Sequence, residues 1–183
     1  MAYKNKIIRN VKTGQEICLL QTSKDTNGAL LEMEAIFNAR SKEPVAHYHP
    51  CQEEDFTILT GELTVRINGQ LKVLHAGERL HIAPNEVHAM WNSSDEKTMV
   101  NWKVRPACNT EYFIETLTGL AVDGKTDENG KPGMLQIALT ANKFSNVFRM
   151  AKPSYTVQKT VFKLLTPFAY LTGHKPTYNQ YLD

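Results

Sequence analysis

Cysteine is scarce in this chain. Cys18, Cys51 and Cys108 are odd in number and widely spaced among 183 residues. A disulfide-stapled scaffold is thereby excluded, and a reducing, cytoplasmic setting is expected. Long apolar runs are lacking too. The longest apolar-rich stretch, VFKLLTPFAYLTG (161–173), is too short to span a bilayer and is interrupted by Lys163 and Pro167. The opening MAYKNKIIRNVKTGQE has no apolar core of signal-peptide length. Nor does one sign of charge dominate: 21 Lys and Arg face 19 Asp and Glu, a formal net charge of +2. That balance offers no basic patch of the kind nucleic acid requires. With no repeat or low-complexity tract, what is left is a chain long enough for one well-buried domain. Its expected partner is a small molecule, not nucleic acid or a membrane.

The first two-thirds reads as β. ALLEMEAIFNA (29–39) alternates, with Leu31, Met33, Ala35 and Phe37 on one face. From Phe56 to Asn92, short strands are divided by turn signals at Gly61, Asn68-Gly69 and Gly77. Asn68-Gly69 marks a hairpin, because both central residues of a type I′ turn need positive φ. TMVNWKVRP is the last clear strand, stopped by Pro106. Many short strands at regular spacing predict an antiparallel sandwich or barrel.

Past Ala107 the period changes. Asn109 and Thr110 are candidate N-caps for a helix carrying Phe113, Leu117 and Leu120. Ile137, Ala141, Phe144 and Phe148 mark one face of a second helix. A third, from about Ser154, groups Val157, Val161, Leu164 and Phe168, with Gly173 as its stop. The division expected is a barrel over 1–107 and a helical extension over 108–183, packed outside the barrel or on a partner subunit.

HYHPCQEEDF (47–56) carries the chemistry. On a strand, His47 and His49 face one side and Tyr48 the other. Glu54 is in phase with Phe56 and Ile58, the apolar residues expected inside, whereas Glu53 is in phase with Asp55 and Thr57. An inward carboxylate beside two inward imidazoles argues for a cation, since a buried unpaired charge is costly. Met90 and Asn92 share parity with His88, so with Phe56 they are expected pocket-wall residues. His75 and His81 are expected at the surface, and Trp91 and Trp102 as packing residues.

His47, His49, Glu54 and Gly61, with six residues between the glutamate and the glycine, are followed by Gly77, His88 and Asn92. This constellation resembles the two sequence motifs of the cupin superfamily over about residues 41–105. Ser41 stands where the first motif has glycine, and Ala83 and Asn85 replace the proline and second glycine of the second. Asn tolerates the left-handed conformation, so a tight turn at Asn85 remains feasible. The resemblance implies a mainly β double-stranded β-helix, or jelly-roll barrel. It also implies a divalent transition metal (Fe, Ni, Zn, Mn or Cu) held by His47, His49, Glu54 and His88, and a homodimer. The activity implied is that of a metal-dependent enzyme acting on a small organic molecule, with Glu54 as a candidate proton acceptor. Dioxygenase chemistry is favoured over isomerase or lyase chemistry because no second base is evident. The alternative is a binding or sensory module that keeps its metal without catalysis.

Overall fold

The computed structural model describes residues 2–182. Period-two alternation sets the longest strands: β3 (Leu31–Phe37) buries Leu31, Met33, Ala35 and Phe37. The other strands before the helices are β1 (Ile7–Arg9), β2 (Glu16–Gln21), β4 (His47–Tyr48), β5 (Glu53–Thr60), β6 (Glu62–Ile67), β7 (Gln70–His75), β8 (Arg79–Ile82), β9 (His88–Trp91) and β10 (Thr98–Arg105). After them come α1 (Thr110–Val122), α2 (Met134–Lys143), β11 (Arg149–Met150) and α3 (Tyr155–Leu171).

Two antiparallel sheets result, one of six strands in the order β1-β2-β3-β10-β5-β8 and one of five in the order β11-β4-β9-β6-β7. They face each other as a jelly roll. Leu19, Leu31, Met33, Leu63, Val65 and Val104, from both sheets, are fully enclosed between them. The expected hairpin closes at Asn68-Gly69, with φ of 48° and 87° and Ile67 opposite Gln70.

Three features of the extension differ from expectation. The last third is not purely helical, because β11 pairs with β4 and joins the five-stranded sheet. The second helix ends at Lys143, and it buries Gln136, Ala138, Leu139 and Thr140 instead of the Ile137/Ala141 side. Gln136 is tolerated there because its amide bonds the Thr140 hydroxyl, the Lys175 carbonyl and the Tyr178 hydroxyl. Hydropathy alone does not mark a polar residue that is fully bonded.

The third helix starts after Ser154 as expected, yet the stripe of Val157, Val161, Leu164 and Phe168 points outward. Its inward side is Gln158, Phe162 and Ala169. Gln158 reaches the carbonyls of Met150 and Pro153 at 2.7 and 2.6 Å and so ties α3 to β11. A helix with two apolar stripes has a legible period but no legible inward side.

Gly61, between β5 and β6, has φ of 74°, and a Cβ there would sit 2.7 Å from the Lys97 carbonyl oxygen. Left-handed strain plus backbone overpacking makes Gly61→Ala destabilising by about 2–4 kcal/mol. A urea titration measures this. An unchanged midpoint would show that the 97–98 backbone moves aside freely.

Candidate metal centre

Neighbouring strands bring the histidines together. His47 stands opposite His88 in the β4–β9 pairing, with ring centroids 4.4 Å apart. His49 lies just past β4, 5.1 Å ring to ring from each of the other two. Its carbonyl accepts from the Asn85 N–H at 2.8 Å, and Asn85 has the left-handed φ, 68°, that its turn requires. The ligand-capable nitrogens of His47, His49 and His88 all lie within 4.8 Å of one another, so these three could hold one metal ion.

The backbone fixes which nitrogen each ring offers. His47 Nδ1 lies 3.2 Å from the Val45 carbonyl, His49 Nδ1 2.5 Å from that of Val147, and His88 Nδ1 2.9 Å from that of Glu86. A carbonyl oxygen only accepts, so every Nδ1 carries the proton and donates. In the neutral rings every Nε2 is therefore a lone pair. Outer hydrogen bonds of this kind orient histidines that ligate metals.

Glu54 approaches from β5, on the opposite sheet, and is buried, whereas Glu53 keeps partial exposure. Its Oε1 accepts from Trp102 Nε1 at 3.0 Å. Its Oε2 lies 3.2 Å from His49 Nε2 and 3.1 Å from His88 Nε2. Yet all three of these buried atoms lack a well-directed hydrogen bond. Lone pairs facing a carboxylate oxygen repel it unless a proton or a cation lies between them. The donor set thus fits a metal ion on the chain's own geometry.

Electrostatics agree. Burial raises the cost of ionising Glu54, but the adjoining His49 and His88 outweigh it and hold the carboxyl well below the usual range. Burial likewise opposes a charge on His49, and the facing Glu54 overcomes it, so that ring keeps its proton above the ordinary imidazole value. Desolvation, with two other imidazoles alongside, pushes the half-buried His47 down to about 3, so it is neutral across the physiological range.

The extension reaches this site. Val147 supplies the carbonyl for His49, and the Phe148 ring stacks on His47 with centroids 4.7 Å apart. Phe113 of α1 supports Phe148 in turn, at 5.1 Å. None of these contacts was expected from the sequence. Trp102 was expected only to pack; it stacks on Phe56 and also orients Glu54. Its parity with the buried Val100 and Val104 was the available signal.

Of the expected wall residues, Phe56 is in the core and Met90 packs partly buried against it. Asn92 serves the fold. Its amide bonds the Glu96 and Phe37 carbonyls, and its side-chain oxygen accepts from the Ser94 N–H and hydroxyl. His75 and His81 are exposed, the latter 2.8 Å from Asp55.

No curated protein matches the chain in sequence. Similar solved structures include a sugar phosphate isomerase from a cupin superfamily of Silicibacter pomeroyi, 15% identical, with a TM-score of 0.46 over 52% of this chain and 62% of that one. The chain thus spans less than two thirds of that protein. A predicted oxalate decarboxylase from Thermotoga maritima is 20% identical, with a TM-score of 0.49 over 58% of this chain and 99% of its own. An RmlC-like cupin from Shewanella frigidimarina is 19% identical, also at 0.49, over 61% and 94%. Residues 34–102 match the cupin domain family, and that span holds all three histidines and Glu54. With the jelly roll built around them, residues 34–102 form a cupin domain.

Proposed function

We propose that this protein is a metal-dependent enzyme acting on a small, largely apolar organic molecule. In this reading His47, His49, His88 and Glu54 hold one divalent transition metal, and oxygen chemistry is the reaction class. One observation carries the proposal: three imidazoles, each committed through Nδ1 to a backbone carbonyl, turn Nε2 toward one another and two of them toward a buried carboxylate. Three nitrogens and one oxygen suit Fe, Ni, Zn, Mn or Cu and are too nitrogen-rich for Ca or Mg. Bound there, such a metal supplies polarisation of a substrate oxygen and, if redox-active, reaction with O₂.

The chain's own residues supply the rest. Glu54, kept ionised by its histidine neighbours, offers the anionic Oε2 to the ion, while Trp102 holds Oε1 in place. Around them lie Phe56, Trp102 and Phe148 instead of a second base, which favours oxygen chemistry over isomerisation. The same aromatic surroundings suit a phenol-like substrate better than a sugar phosphate. A second reading rests on the burial of His49 and His88. Ligands so enclosed also fit a module that keeps its metal for binding or sensing without turnover.

Elemental analysis of the purified protein beside the His49→Ala/Glu54→Ala variant is the direct test. About one transition metal per chain is expected in the parent, and loss of it in the variant. A parent that neither contains nor takes up any divalent metal sinks the proposal. A fully loaded protein that consumes no O₂ with any of a panel of phenols leaves the binding module as the function. Trp102→Phe, which removes the hydrogen bond to Glu54 while keeping an aromatic ring beside Phe56, is expected to weaken metal affinity about 10- to 100-fold, read by competition with a chelating dye.

The raised value of His49 gives a pH dependence. The metal must displace the His49 proton, so affinity rises with pH until that raised value is passed, and binding below it releases up to about one proton. Calorimetry in two buffers of different ionisation enthalpy reads this release. An uptake heat independent of buffer would remove His49 from the ligand set.

A further inference from the structure

We infer that the outward face of the α2–α3 hairpin docks on an anionic lipid surface. Residues 134–175 contain six of the chain's 21 basic residues and none of its 19 acidic ones. The other 141 residues therefore carry 15 basic against 19 acidic, so the near-neutral whole divides into a cationic hairpin and an anionic remainder. Charge segregated in this way is a feature of electrostatic docking surfaces.

Along α3 the apolar ridge is exposed. Val157 is 47% accessible, Val161 41%, Leu164 67%, Phe168 61% and Leu171 84%. Steps of four, three, four and three residues set them in one row along the helix. That row is separate from Gln158, Phe162 and Ala169, which face the protein. Lys159 and Lys163 are exposed on the same helix, and Lys152 and Lys175 flank its two ends, also exposed. Lysine stems of this length can reach an interface while the ridge enters it.

The occupant follows from the charge. A second copy of this hairpin would bring another six cations and no acid against the first, so self-packing through this face is opposed. A convex row of projecting aliphatic and aromatic tips presents no pocket for a partner's anchor residues, whereas it can sink into a fluid interface. The helix lies on the surface and does not cross it: among the described residues no helix is long and apolar enough to span a membrane. The inference stands apart from the metal centre and needs no assumption about the reaction.

Flotation of the full chain with vesicles tests it. Binding is expected to equimolar phosphatidylcholine and phosphatidylglycerol, to be weakened by salt, and to be absent with phosphatidylcholine alone. Leu164→Glu/Phe168→Glu is expected to abolish it. Both residues are exposed, so an unchanged circular dichroism melt serves as the folding control. Lys159→Gln/Lys163→Gln is expected to weaken binding on the order of 25-fold, each lysine contributing about fivefold. No flotation of the parent, or undiminished flotation of the glutamate variant, overturns the inference. So does a dimer seen by light scattering that the glutamate variant dissociates, because the ridge would then belong to a second copy.

Discussion

Two imidazole nitrogens and one carboxylate oxygen meet in the buried interior, none of them with a well-directed hydrogen bond. No packing of neutral side chains makes that arrangement favourable; a positive charge must. Much of the architecture serves to hold it. Three backbone carbonyls, from Val45, Glu86 and Val147, fix the ring tautomers. One indole fixes the carboxylate, and the two sheets press their histidine and glutamate strands toward each other across the core. A polar cluster so supported is rigid before any ion arrives, which lowers the cost of binding one.

How much of this could be read in advance depended on the rule involved. Strand parity was reliable because a side chain on a half-buried sheet has only two choices, and it separated Glu54 from Glu53 without any structure. Spacing located the histidines for the same reason. Parity could also have turned Trp102 inward, but a tryptophan reads as packing, and its N–H has no hydropathy signature. The helices were harder. Their beginnings near Thr110 and Ser154 were legible, while α3 carries two apolar stripes and the sequence does not say which one the protein keeps. Val147 was out of reach altogether, since a backbone carbonyl acts without regard to the residue that bears it.

The extension has a different character from the barrel. Its α2–α3 hairpin is cationic where the rest of the chain is anionic, and it sets a row of exposed apolar residues along α3. It is nevertheless stitched to the barrel by β11, by the Ala151 N–H on the Ala46 carbonyl, and by the buried amide of Gln158. One face of the extension thus completes the centre and another is left for the surroundings.

The carbonyl of Val147 lies 98 residues beyond the histidine it orients. During synthesis β4 and β9, which carry His47 and His88, emerge well before it. A nascent chain stopped anywhere in α1 or α2 would hold His47, His49, His88 and Glu54, yet leave the His49 ring free to turn and the His47 ring without its aromatic neighbour. On the proposed reading, metallation is in this sense a terminal step of biosynthesis, and a truncated product would be born with a loosened grip on any ion it held.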